Sequence, residues 1–207
     1  MGLDHSPIVV TDGLVLHIDA GNTRSYSGIG ITVNGLVSGI GATISGGLGF
    51  TASNFGAIQL NSASSGYIQI PSLTWRSVCM WIKLSNTNAD PYYLIDGRNG
   101  VANSWFYSAS PAGAIGSAWS KFHVNSSQKT ISGSNGLSNT SLFERNKWLH
   151  IYLELSSIGT GDIHIFSRYT NNETSTGDVS QVQIYNRALT ASEIVQNYNA
   201  TKRRYGL

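Results

Sequence analysis

Trp148-Leu149-His150-Ile151-Tyr152-Leu153-Glu154-Leu155 is the stretch whose reading decides the fold. Leu149, Ile151, Leu153 and Leu155 fall on every second residue, with Trp148, His150, Tyr152 and Glu154 between them. Successive side chains of a strand point to opposite faces, so a period of two marks a strand with one face turned to a core. The same period runs through Leu14–Asp19, where His17 and Asp19 oppose leucine and isoleucine, and through Tyr67–Ile70. Val78, Met80, Ile82 and Leu84 alternate with Ser77, Cys79, Trp81 and Lys83, and Ile163 and Ile165 with His164 and Phe166. Ser180, Val182 and Ile184 alternate with Gln181, Gln183 and Tyr185. Weaker strands are expected around 57–60, 92–95, 104–109 and 119–124. Gly, Asn and Ser clusters bound these runs and supply the turns. About ten short strands with one apolar face each, and no repeated strand–helix unit, predict two antiparallel sheets packed face to face. The glycine-rich stretch 28–49 reads as a long surface loop with one weak strand, or as a bridge to neighbouring subunits.

Composition narrows the rest. The chain has 207 residues, 41% hydrophobic and only 12% charged, against a usual charged share of about 25%. Five Trp, ten Tyr and six Phe are enough aromatic bulk for a core, unlike a disordered chain. The formal charge of +2 is too balanced to mark a phosphate-binding surface, so no nucleic-acid partner is expected. No apolar run of about 18 residues exists, so no membrane span is expected. The opening MGLDHSPIVV lacks the basic and long apolar parts of a secretory signal. The single cysteine, Cys79, allows no internal disulfide and no cysteine zinc cage. Residues 1–11 read as an N-terminal arm and 12–207 as one sandwich domain.

One helix is predicted near the C-terminus. Thr190-Ala191-Ser192-Glu193 spells a capping box, Leu189 is placed to staple onto Ile194, and Ile194, Val195 and Tyr198 give an apolar stripe. Lys202, Arg203 and Arg204 fall in the last turn, where the helix dipole favours cations, and Gly206 is the stop. The helix reads as a lid on the sandwich.

Both ends carry a resemblance. Gly13-Leu14-Val15-Leu16-His17-Ile18-Asp19-Ala20-Gly21-Asn22 resembles the opening strand of the laminin-G-like, concanavalin A-like domains of tailed-bacteriophage virion structural proteins. Val182-Gln183-Ile184-Tyr185-Asn186-Arg187-Ala188-Leu189-Thr190-Ala191-Ser192-Glu193-Ile194 is similar to the ending of that superfamily. The segments 67–71, 77–84 and 146–150 resemble its central strands. The resemblance implies an all-β, two-sheet antiparallel jelly-roll sandwich with a short C-terminal helix. It also implies a non-enzymatic virion protein: a capsid decoration or cement protein, or one of the neck or tail periphery. Its partners would be other virion proteins and copies of itself, and its location the virion, after synthesis in the host cytoplasm.

The residues themselves give few reactive constellations. A glycosidase needs two acids flanking the scissile bond, and this chain has no Glu-x-Asp or Asp-x-Asp. Glu154 reads as a cross-strand hydrogen-bonding partner of Tyr152 and His150, and Cys79 as an inert packing residue. His17 with Asp19, and His123, His150 and His164, are either divalent-cation ligands, if their strands are neighbours, or ordinary half-exposed strand residues. Asp19 and Asn22 are the calcium candidates, since calcium takes oxygen ligands from loops; the competing reading is a turn closed by side-chain to backbone bonds. No other cofactor is expected. Tyr92, Tyr93, Trp105, Tyr107 and Trp119 are the candidate ligand-binding residues, because aromatics among Asn and Ser stack on sugars or anchor interfaces. The competing reading places Trp105 and Trp119 in the core. Beside the virion role stands a lectin-like module for host surface glycan, with calcium as its possible helper.

Overall fold

A computed structural model describes residues 7–61, 63, 65–85, 92–108, 114–130, 143–171 and 173–207. Among the described residues thirteen strands follow in chain order: β1 (Leu14–Asp19), β2 (Thr32–Val33), β3 (Ala42–Ser45), β4 (Leu48–Thr51), β5 (Ala57–Leu60), β6 (Tyr67–Leu84) and β7 (Tyr92–Asp96). Then come β8 (Trp105–Ser108), β9 (Ala114–Ile115), β10 (Trp119–Val124), β11 (Ser127–Lys129), β12 (Trp148–Ile165) and β13 (Gly177–Tyr185). One α-helix, α1 (Ala191–Thr201), runs into a 3-10 turn at Lys202–Tyr205. All pairings between strands are antiparallel. The all-β sandwich expected from the alternation is the observed architecture.

Two strands of 18 residues, β6 and β12, organise it. The Ser77–Leu84 half of β6 pairs with β13 on one side and with Trp148–Glu154 of β12 on the other. β1 and β5 flank β13, β4 follows β5, and β10 and β11 continue beyond β12. The other half of β6, at Tyr67–Ile70, pairs instead with β3 and with Ile163–Ile165 of β12, and β7, β8 and β9 extend that layer. Both strands therefore pass from one layer into the other. Register breaks between Glu154 and Gly159 and between Gly161 and Ile163 mark the corner, where Ser156, Ser157 and Ile158 are exposed.

The core lies between the layers. Val78, Met80, Ile82, Leu149, Ile151, Leu153, Val182 and Ile184 meet Ile68, Ile70, Leu94, Phe106, Ile163 and Ile165 there. The opposite face of the first layer is buried as well, beneath α1. Cys79, Tyr152 and Tyr185 pack with Val10, Leu189 and Ile194, and Ala57, Trp81 and Trp148 pack with Tyr205. Trp81 stacks on Tyr205 at 4.0 Å between ring centres and donates its indole N–H to Thr201. Every residue of β13 is therefore buried, including Gln181 and Gln183, which alternation alone places on an open face.

The helix starts as read but differs in its buried face and in its end: it stops at Thr201, so Lys202, Arg203 and Arg204 fall in the 3-10 turn that follows and not in its last turn. Thr190 accepts from the Glu193 amide, and the Glu193 carboxylate accepts from the Thr190 amide at 2.8 Å. Arg187 also grips Glu193 with two hydrogen bonds, lowering that carboxyl to about 2. The buried face is Ile194, Asn197 and Tyr198 with Thr201 behind, while Val195 is exposed, being about 100° off that face. Asn197 anchors the N-terminal arm: its Oδ1 accepts from the Val10 amide, and its Nδ2 donates to the Tyr185 hydroxyl. Residues 1–6 of the arm lie outside the described residues. Replacing Thr190 by Ala is expected to cost about 1 kcal/mol in urea unfolding, with an unchanged m-value.

The stretch 28–49 differs from expectation. It contributes β2, β3 and the start of β4 rather than one weak strand. Its short strands carry one or two apolar residues each, too few to display a period. Gly206, at φ +76°, ends the chain's last turn as expected.

Candidate functional site

The outer face of the second layer carries an aromatic cluster. Tyr93 and Tyr107 are cross-strand partners on β7 and β8, and Trp105 is the partner of Asp96. Alternation sends Phe106 inward and leaves Trp105 and Tyr107, two residues apart, on the outer face. Tyr107 stacks on Tyr93 at 5.1 Å and lies 5.0 Å from Trp105. A bulge between Tyr93 and Ile95 lets both Leu94 and Ile95 bury while Tyr93 stays in the aromatic row.

One cation ties the cluster together. The Arg98 guanidinium lies 5.7 Å from the Tyr93 ring, 5.8 Å from Trp105 and 5.2 Å from Tyr169. Beneath it sits Asp96, fully buried, which accepts from Arg98 Nε and Nη2, from the Arg98 amide and from the Tyr169 amide. Hydrogen bonding by Asp96 raises the Arg98 pKa further, so the guanidinium is permanently charged. Asp96 is thus spent on positioning. What faces outward is a strip of half-buried Trp105 and Tyr107 edged by Arg98 and by Tyr169, which is 38% exposed. Flat apolar rings beside fixed donors are the arrangement that holds a sugar ring or a peptide side chain.

The structure divides the sequence candidates. Trp105 and Tyr107 come together on the face. Tyr93 is a correction, being 4% exposed beneath Tyr107 with its hydroxyl accepting from Arg98 Nη2. Arg98 and Tyr169, which have no signal in the alternation, complete the site. An arginine two residues after a strand's last acid was the available signal for Arg98. Tyr92 lies on β7, and its side chain is outside those described. Trp119 is a correction: it is 4% exposed in the core, 5.8 Å from Trp75, because β10 belongs to the first layer and turns this residue inward. Its indole N–H donates to the Trp105 carbonyl, so it supports the site from behind.

Asp19 and Asn22 are engaged otherwise. Asp19 accepts from Arg204 Nη1 and Nη2 at 2.8 and 2.7 Å, from Gln181 Nε2 and from the Gly21 amide. Burial alone raises the Asp19 carboxyl, but the hydrogen bonds and charge of Arg204, with Gln181 and Gly21, outweigh it and hold it below its ordinary value. Asn22 Oδ1 accepts from the Arg24 amide. The loop is closed by turns and an ion pair, and a calcium ion there would compete with a guanidinium for the same two oxygens. Arg204 is thereby reassigned from a helix-dipole partner to a clamp.

The histidines are buried rather than half-exposed at positions 123, 150 and 164. His123 and His150 share the first layer and His164 lies in the second. Among the described residues no three His, Cys, Asp or Glu side chains gather as a metal-ligand set. Cys79 is buried and burial pushes its thiol up to about 12, which suits packing and not nucleophilic attack. Each described carboxylate is held by a partner: Glu154, for example, accepts from Tyr152 at 2.7 Å and Lys121 at 3.1 Å, and Asp178 pairs with Lys83 at 2.7 Å. No two described acids face one another across a cleft with free oxygens, as hydrolysis of a glycoside needs.

No protein-family model and no curated protein sequence matches the chain. Solved structures do match in fold. Domain 4 of an extracellular GH43 arabinanase from Geobacillus stearothermophilus, solved with arabinotriose, superposes with a TM-score of 0.53 at 15% identity, over 89% of this chain and 98% of that one. The binding domain of Paraclostridial Mosquitocidal Protein 1 gives 0.56 at 15% identity, over 91% of this chain and 52% of that one. Trypanosoma rangeli sialidase gives 0.58 at 12% identity, covering 95% of this chain but only 34% of the enzyme. This chain spans about half the length of the mosquitocidal structure and a third of the sialidase. At such identities the likeness is one of fold: an all-β sandwich that occurs as a separate domain and within larger chains.

Proposed function

We propose that the protein is a non-catalytic glycan-binding module, with the Trp105, Tyr107 and Tyr169 face as its binding surface. The observation that carries this reading is the strip of outward aromatic rings fixed by Arg98 and the buried Asp96. A neutral sugar stacks its apolar face on Trp105 or Tyr107, and Arg98 and the tyrosine hydroxyls donate to its oxygens. The fold neighbours support it to the extent that one was solved with arabinotriose and another is the binding domain of a mosquitocidal protein. Binding needs no metal in this arrangement, since the donors are side chains of the strip.

Calorimetric titration with neutral oligosaccharides, arabinotriose among them, tests the reading. Trp105→Ala is expected to weaken binding about tenfold or more while leaving the circular dichroism spectrum unchanged. Absence of binding across the panel, or wild-type affinity in Trp105→Ala, would sink it.

A second reading, a virion structural subunit of a tailed phage, draws on one observation. The two segments that carry the phage resemblance meet: β1 lies along β13, and the turn after α1 closes on Asp19. Such a subunit would sit on the capsid, neck or tail periphery, touching other virion proteins and copies of itself. Its stoichiometric co-purification with particles tests it, and the two roles are compatible in one chain.

A further inference from the structure

A second concavity, of about 650 Å3, is built from elements other than the aromatic strip. Its lining includes Asp19, Asn22, Thr23, Phe55, Arg203 and Arg204. Phe55 is 72% exposed, so its ring contributes little to any core. Yet its backbone stands at φ +63°, next to Asn54 at φ +53°. The left-handed region suits asparagine and disfavours a bulky residue such as phenylalanine.

The neighbourhood holds this strained pair in place from several sides. Arg204 donates to the Asn54 and Phe55 carbonyls at 3.1 and 2.7 Å. Asn54 donates back to the Arg204 carbonyl and accepts from the Trp148 indole N–H. Gly21 passes so close that a Cβ there would lie 1.5 Å from the Phe55 carbonyl oxygen. The segment is over-determined, and its outcome is an aromatic ring presented to solvent at the mouth of a cavity. Strain held by its surroundings, for a ring that stays 72% exposed with the Arg204 guanidinium 5.9 Å from its centre, points to a binding role.

The charges name the ligand's class. Arg204 and Asp19 neutralise each other through their paired hydrogen bonds. Arg203 is exposed, and its guanidinium makes no hydrogen bond or ion pair with the described residues. The lining therefore keeps one uncompensated guanidinium next to one exposed ring, with the amide of Asn22 and the hydroxyl of Thr23 beside them. We propose that this cavity binds an acidic sugar residue, of the uronic or sialic acid class. The sugar ring lies on Phe55, its carboxylate takes the bidentate guanidinium of Arg203, and its hydroxyls reach Thr23 and Asn22. The inference is independent of the neutral-sugar reading of the aromatic strip.

The test is a titration of the full chain followed by backbone amide NMR. The probes are tri-galacturonate and sialyllactose, with galactotriose and lactose as neutral counterparts and inorganic phosphate as a plain anion. The expected result is shifts from an acidic probe at 19–24, 53–56 and 203–204, with weaker or no shifts there from the neutral pair. Arg203→Gln and Phe55→Asn should each weaken that binding about tenfold or more, whereas Trp105→Ala should leave it unchanged. Phe55→Asn removes the ring but keeps a residue at ease in the left-handed conformation, so its melting temperature should hold or rise. Loss of binding in a variant that melts no lower separates recognition from folding. The proposal is overturned if neither acidic probe shifts these amides, if the neutral sugars bind there equally well, if phosphate displaces the acidic probe at equal concentration, or if Trp105→Ala abolishes the effect.

Discussion

Acidification is expected to destabilise the fold steeply below pH 6.5, losing roughly 3 kcal/mol by about pH 4, through His150 alone. His150 is 1% exposed, wedged between Trp81 at 5.1 Å and Tyr198 at 5.8 Å, and its Nδ1 has no hydrogen-bond partner among the described residues. Burial lowers its pKa from 6.5 to about 3, and the nearby His123 adds a smaller push in the same direction. The unfolded chain therefore binds a proton near pH 6.5 that the folded chain refuses until about pH 3. Stability is fully present above the unfolded value and falls as pH drops toward the folded one. Burial lowers His17, His123 and His164 likewise, so their contributions have the same sign. Urea unfolding at about pH 7.5 and about pH 4.5 should show a lower midpoint in acid at similar m-value. His150→Phe keeps the aromatic contact and should flatten this dependence. A midpoint that stays level between these pH values in the parent chain would show that His150 titrates normally.

Arg204→Ala is expected to cost about 3 kcal/mol, the low end of the penalty for stripping one partner from a buried ion pair, since this pair is partly buried. Arg204 and Asp19 side chains are only 14% and 15% exposed. Removing the guanidinium leaves the Asp19 carboxylate with Gln181 and one amide, and takes the donors from the Asn54 and Phe55 carbonyls. The double variant Asp19→Asn, Arg204→Ala should recover part of the loss, since no charge is then left unpaired. A thermal melt of the three variants measures this, and additivity of the two single effects would refute the coupling.

These two effects also show what the sequence discloses. Trp148–Leu155 states its inward face outright, because four aliphatic residues at a period of two have one stable placement. The capping box before α1 is equally local: Thr190 and Glu193 need only three residues to declare themselves. What was not legible depends on elements far apart in the chain. Gln181, Gln183 and His150 look like surface residues of a half-buried strand until α1 lies across them, and nothing in their own spacing says so. Arg204 finds Asp19 across 185 residues. Trp119 and Trp105 have similar surroundings in sequence, and only the layer that each strand joins sends one inward and the other out. Arg98 was hidden for a related reason: a lone arginine has no period, and its meaning appears once three rings surround it.

The passage of β6 and β12 through both layers has a mechanical corollary. In a sandwich whose sheets are joined only by loops, one sheet can fray while the other keeps its shape. Here the central backbone of each sheet is the continuation of the other's, so parting the halves means tearing two ladders at mid-length. The molecule is woven rather than stacked, and it has no seam along which to open.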